Sequence, residues 1–192
     1  MREFHQLINA HPLAVVRLCI GGLLPAWDNY YDRANEISRP AQMGPLWMQA
    51  AELTGIPFDS RLWSLDPPAS SYPAGMAVKC AALQSPALEL PFFEFIAAAA
   101  LLQGKNTARP EVIQELGEQF SQQHPQFDPK RFHTDMTQGN GLEALKQDIR
   151  ETRNHQINRF PALILTVSGR KMLISGYKTA DALLEIIGKA AQ

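Results

Sequence analysis

Phe4, Leu7 and Ile8, with His11 behind them, recur at the three-to-four-residue spacing of a helix that Pro12 stops. The pattern then changes. Leu13 to Ile20 is a nearly continuous aliphatic and β-branched run closed by Gly21-Gly22, as expected of a strand buried on both faces. From Leu24 to Pro68 the chain is rich in Pro, Asn, Asp and aromatics, with one helical window from Pro45 to Thr54 ending at Gly55, so this stretch reads as loop and helix and not as sheet. Ser71-Tyr72-Pro73 supplies an N-cap and an early helical proline, and Ala74 to Leu83 continues as a strong helix former. Further helices are predicted over Pro91–Gln103, Pro110–Gln122 and Gly141–His155. The end of the chain reads as a β-hairpin, Ala162–Val167 and Lys171–Gly176 about the turn Ser168-Gly169-Arg170. A terminal amphipathic helix follows, starting at Thr179 or Asp181 and ending near Ala191.

Composition narrows the choice. The 192 residues are 45% hydrophobic and 19% charged, enough for a buried core in one domain with an insertion. With 18 basic and 19 acidic residues spread along the chain, net charge is -1, which gives no electrostatic footprint for nucleic acid or an anionic membrane. Leu88 to Leu102 is the most apolar stretch, but Glu89, Pro91 and Glu94 interrupt it and it is too short for a span. The first ten residues lack the unbroken apolar centre of a signal peptide, so a cytoplasmic location is expected. The five histidines are scattered and no Cys-x-x-Cys occurs, so neither a metal nor a cofactor is assigned. Cys19 and Cys80, the two cysteines, sit in apolar surroundings and are expected to be buried reduced thiols. Gly21-Gly22 reads as a turn, because no Lys-Ser/Thr or third glycine follows at phosphate-loop spacing.

In order, these elements give helix, strand, a long helical insertion, helix, hairpin, helix. Four segments resemble the DsbA family, in particular its cytoplasmic branch related to 2-hydroxychromene-2-carboxylate isomerases. Leu18-Cys19-Ile20-Gly21-Gly22-Leu23-Leu24-Pro25 resembles the family's second strand and its Gly-Gly-Leu turn. The most distinctive is Asp66 to Lys79, which is similar to the family's Ser-Tyr-Pro-Ala segment opening an Ala-rich insertion helix. Ala97 to Gly104 with Asn106 resembles the next helix and turn, and Ile157-Asn158-Arg159-Phe160-Pro161-Ala162-Leu163 resembles the stretch carrying the cis-proline, with Ala162 where a Thr is usual.

The resemblance implies an α/β, thioredoxin-like fold with a large helical insertion, residues 1–25 and 141–192 forming the thioredoxin-like part and 26–140 the insertion. It implies thiol–disulfide oxidoreductase activity on a protein or small-thiol substrate. It also implies that the Phe160–Pro161 bond is cis, so that the backbone before the proline pairs with an extended peptide. Arg159, Phe160, Pro161, Trp27 and Tyr72 are then the candidate substrate-binding residues, although large aromatics such as Trp27, Trp47 and Trp63 are more often core.

The departure is as informative as the match. In this family the first strand ends in a Cys-x-x-Cys, whose place would precede Met1, so the fold is expected to lack its first strand. No catalytic residue is assigned, since neither cysteine lies at a helix N-terminus beside a second thiol. Three readings stay open: an oxidoreductase whose redox pair is absent from this chain, a non-catalytic peptide- or partner-binding module, and a glutathione-using isomerase. The expected gap lies between Leu13–Ile20 and Ala162–Val167 and would expose unpaired backbone. It is expected to be closed by a strand from another chain, by direct pairing of the two flanking strands, or by a homodimer.

Overall fold

The computed structural model describes residues 2–28, 30–33, 35–167 and 169–190, so Ser168 of the predicted turn and Ala191 at the predicted helix end lie outside the described residues. The chain divides into two compact units, one formed by 1–21 with 150–192 and the other by 22–149.

The first unit is built on an antiparallel hairpin of β1 (Ala162–Val167) and β2 (Arg170–Ser175), in the register Ala162 to Ser175 through Val167 to Arg170. Cross-strand pairing puts Leu163 with Ile174 and Leu165 with Met172 on one face. Helix α9 (Ala180–Ala190) packs on β1, and α1 (Arg2–Ala10) packs on α9, with Leu7 buried. The Glu3 carboxylate of α1 accepts a hydrogen bond from Ala180 N–H at 2.6 Å, satisfying one of the open donors at the N-terminus of α9.

Leu13 to Ile20 corrects the sequence-based expectation, because no strand forms there. Among the described residues the sheet has two strands, and the predicted pairing of this segment with Ala162–Val167 is not made. Leu13 is 97% exposed and Val15 99% exposed. Aliphatic and β-branched composition favours extended backbone, but a strand exists only through ladder bonds to a neighbour. Arg17 from this segment is ion-paired with Glu151.

The second unit is helical. It contains α2 (Met43–Thr54), a short α3 (Leu62–Leu65), α4 (Tyr72–Gln84), α5 (Pro86–Gln103), α6 (Pro110–Gln123), α7 (Pro129–Thr137) and the first part of α8 (Asn140–Asn154). Gly55 ends α2 in the left-handed conformation at φ +69°, its N–H donating to the Ala51 carbonyl. Helix α5 starts five residues before the predicted Pro91, capped by the Ser85 hydroxyl. It runs through Pro91; Ala87, whose carbonyl loses the bond that proline cannot donate, is exposed. At eighteen residues α5 is long and apolar enough by length and composition to cross a membrane, while Leu88, Phe92, Ile96 and Ala99 on one side of it are buried in this unit. The core is an aromatic cluster in which Phe92 lies 4.8 Å from Phe120, 5.4 Å from Phe127 and 5.4 Å from Phe132, ring centre to ring centre. Gly117 makes room for it, since a Cβ there would come within 2.9 Å of the Phe132 ring.

Three helices are tied by one buried cation. Lys79 of α4 is 9% exposed and its ammonium contacts Glu89 of α5 and, at 2.9 Å, Asp148 of α8. Burial alone would lower the Lys79 pKa, but hydrogen bonds and charge attraction from the two carboxylates outweigh it and hold the group above its ordinary value. Lys79→Met removes the cation and leaves two enclosed carboxylates facing each other. It should lower unfolding free energy by about 3–5 kcal/mol at neutral pH in a urea titration, whereas the exposed pair Lys189–Glu185 should contribute less than about 1 kcal/mol.

Candidate functional site

The segment 155–161 carries the candidate loop, and the end of α8 sets its course. Ile157 N–H donates to the Thr152 carbonyl and Gln156 N–H to the Arg153 carbonyl, each at 2.9 Å, with Gln156 at φ +54°. This is the Schellman arrangement, with glutamine in the position glycine usually takes. The chain then reaches Arg159, Phe160 and Pro161, all exposed, and enters β1. The Phe160–Pro161 peptide bond is cis. The Pro161 carbonyl accepts from Gly176 N–H at 2.8 Å, which joins the loop to the end of β2. The Phe160 ring lies edge-on over Gly21, where a Cβ would fall 2.2 Å from the ring, while 38% of the residue stays exposed. A Cβ on Gly176 would lie 3.9 Å from Arg159 Nε, so the guanidinium runs alongside that glycine. Phe160 is thus seated on Gly21, while Arg159 passes near Gly176.

Trp27 and Tyr72 belong to the other unit. Trp27 is half-buried, donates its indole N–H to the Pro68 carbonyl at 2.9 Å and packs edge-to-face on Trp63 at 6.2 Å and Tyr30 at 5.4 Å. Trp47 meets Trp63 at 5.3 Å and Phe58 at 5.8 Å. Trp63 is the buried centre of this cluster, and its indole N–H has no acceptor among the described residues. Tyr72 opens α4 and sits against Gly22, where φ is +59° and a Cβ would be 3.3 Å from the Tyr72 ring and 2.6 Å from Ile149.

The Gly-Gly-Leu-Leu and Ser-Ser-Tyr-Pro-Ala motifs, 46 residues apart in the Ser70–Leu24 contact, meet in space. Leu24 N–H donates to Ser71 Oγ at 3.0 Å, and the Leu24 carbonyl accepts from Ser71 N–H at 2.8 Å and from the Ser70 and Ser71 hydroxyls. This corrects the capping expected of Ser71, which adopts helical dihedrals and makes no side-chain cap bond. Ser70 Oγ instead accepts from Tyr72 N–H at 3.0 Å.

The two cysteines differ in burial. Cys80 is fully buried and Cys19 partly so, and neither forms a disulfide. Burial pushes the Cys80 thiol up to about 12, the Asp135 carboxylate adds to the rise, and the Gly141 N–H partly offsets it. The fit is close: a Cβ on Gly141 would stand 2.5 Å from Cys80 Sγ. Among the described residues no group of His, Cys, Asp or Glu is arranged to hold a metal ion.

Together the units define a mostly helical, thioredoxin-like fold with a helical insertion. A family model described as thioredoxin matches residues 9–185, and the chain belongs to that family. A cytosolic disulfide reductase, DsbM from Pseudomonas aeruginosa, has the same fold at a TM-score of 0.70 and 20% identity, covering 98% of this chain and 93% of that one. A crystal structure described as a putative protein disulfide isomerase from Nitrosomonas europaea gives a TM-score of 0.65 at 21% identity, over 78% of this chain and 72% of the other. Among curated proteins, the ClpXP adapter protein SpxH of Halalkalibacterium halodurans is 24% identical over 149 residues. That match covers 78% of this chain and 47% of the relative, so the chain spans about half the length of the curated relative it matches.

The raised Cys80 value makes stability depend on pH. Below pH 9, the ordinary thiol value, both folded and unfolded chains hold the proton, and between 9 and about 12 only the folded chain does. Proton release by the unfolded chain then favours unfolding, so stability should fall across this window by up to about 1.4 kcal/mol per pH unit. Comparing urea midpoints at pH 8 and pH 10 for the wild type and Cys80→Ala should show a smaller decline in the variant.

Proposed function

We propose that this chain is the polypeptide-binding part of a DsbA-type thiol–disulfide oxidoreductase, and that no redox step runs on its own two thiols. The observation that carries the reading is the contrast between a presented loop, Arg159-Phe160-Pro161, and an enclosed Cys80 whose thiol is pushed up to about 12. At neutral pH such a thiol supplies almost no thiolate, and exchange requires a thiolate within reach of a disulfide sulfur. Cys19, within the Leu13–Ile20 segment, has no second cysteine near it in sequence. The disulfide reductase and isomerase descriptions of the structural neighbours support the thiol–disulfide class, with a protein or small thiol as partner and a cytoplasmic location.

A second reading has a specific support. SpxH is described as an adapter protein, and binding without catalysis is what this chain's thiols permit. The homodimer expected from the sequence remains part of either proposal, since Leu13 and Val15 present apolar surface.

Insulin reduction by dithiothreitol tests the first statement. The 192-residue chain and its Cys19→Ser, Cys80→Ser double variant should both accelerate the reaction no more than a buffer control. Acceleration lost on replacing one cysteine would make that residue a nucleophile and overturn the proposal. The adapter reading would gain if the chain bound folded proteins but not unfolded, carboxymethylated ones.

A further inference from the structure

The turn end of the β1–β2 hairpin and the end of α9 border an open cavity of about 280 Å³, lined by Leu165, Val167, Arg170, Lys171, Met172 and Ala190. It lies at the opposite end of β1 from Pro161. The strand register accounts for its lining. Val167 faces Arg170 and Leu165 faces Met172 across the ladder, and both pairs share one side of the hairpin with Leu163 and Ile174. Ile174 is buried there, whereas Leu165, Val167 and Met172 are half-buried and Arg170 and Lys171 are exposed. Apolar side chains therefore stand beside two exposed cations. The near-neutral total of the chain conceals how its charge is divided. Residues 1–21 and 150–192, the unit that holds this cavity, contain nine lysines and arginines against four aspartates and glutamates. Glu151 and Glu185 are ion-paired with Arg17 and Lys189, and Glu3 and Asp181 stand at the N-terminus of α9, the far end of that helix from Ala190. Among the described residues neither Arg170 nor Lys171 forms an ion pair, and the carbonyls of the last turn of α9 are the groups of negative sign beside the cavity.

We propose that this cavity binds a small aliphatic carboxylate, with the alkyl chain against Leu165, Val167 and Met172 and the carboxylate at Arg170 and Lys171. The walls decide against a bare inorganic anion, since three apolar side chains offer it nothing in exchange for its water. The two cations and the basic excess of the unit decide against a neutral hydrocarbon. Arginine suits the head group, because its planar fork can hold a carboxylate through two parallel hydrogen bonds. At roughly 30 Å³ per non-hydrogen atom, the volume share of a liquid water, the cavity takes about nine such atoms, so a carboxylate of roughly six to eight carbons fills it. The site is separate from the Arg159–Pro161 loop and its fate leaves the polypeptide-binding reading untouched.

Octanoate is the probe, titrated into the full chain carrying isotope-labelled methionine and leucine methyl groups and followed by NMR. The Met172 and Leu165 methyl signals should shift together and saturate, with a Kd of about 1 mM or tighter. Butanoate, with half the carbons, and octanol, which lacks the charge, should each bind at least about tenfold more weakly. Arg170→Gln and Lys171→Gln, both at exposed positions, should weaken octanoate, leave octanol as it was and keep the melting temperature. Equal affinity for octanoate and octanol would overturn the proposal, as would octanoate shifts that spare Met172 and Leu165. A short peptide ending in a free leucine carboxylate that bound more tightly than octanoate would make a chain terminus the occupant and overturn it too. Octanoate binding seen only after removal of Ala191 and Gln192 would give the place to the chain's own end, with the same consequence.

Discussion

The ammonium group of Lys79 is enclosed where α4, α5 and α8 come together, and the helical unit is organised around it. A cation largely shielded from solvent needs acceptors close by, and Glu89 and Asp148 supply them, which restrains the rotation of two helices about α4. Burial of apolar side chains alone would tolerate small rotations and slips between helices. An ion pair with two acceptors on different helices tolerates much less. Cys80 follows immediately, packed against Gly141 at the start of α8, so neighbouring residues of α4 hold the same helix in two different ways. The Phe92–Phe120–Phe127–Phe132 cluster then fills the remaining space between α5, α6 and α7.

Close approach at glycines is the second constraint, and it governs the candidate sites. Gly21 receives Phe160 in one unit, while in the other Gly22 receives Tyr72 and Gly117 receives Phe132. At Gly21 and Gly117 an aromatic ring, and at Gly22 the Ile149 side chain, occupies the volume that a Cβ would need. The twin glycines that end the Leu13–Ile20 run are thus space as much as turn: only Gly22 of the pair has a positive φ. The same economy of volume holds at Cys80, which is fully buried and whose Sγ stands 2.5 Å from where a Cβ on Gly141 would fall.

Much of the architecture was legible in the chain. Two short apolar, strand-forming runs about the Ser168-Gly169-Arg170 turn marked the hairpin, Gly55 the end of α2, and proline near the helix start α4 and α6. Helix α7 escaped notice although Asp128-Pro129 announces it, with the Asp128 carboxylate accepting from the Lys130 and Arg131 N–H groups. Its apolar residues are too few for periodicity to stand out, and its stability comes from packing Phe132 into the aromatic cluster. At Ser70-Ser71 the sequence pointed to a capping serine and chose the wrong one, because Leu24 lies far away along the chain and claims both hydroxyls.

By itself the sequence determined the helical and hairpin segments, the resemblance to a thioredoxin-like fold with an insertion, and the lack of a paired redox motif, since these depend on local propensity, residue spacing and the identity of the cysteines. Tertiary structure alone decided that Leu13–Ile20 makes no ladder, that Lys79 is enclosed by two carboxylates, and that Phe160 rests on Gly21. The physical reason is the same in all three: ladder hydrogen bonds, the shielding of a charge and the overlap of two volumes are properties of pairs of segments, and a pattern along one segment contains no information about which partner it meets.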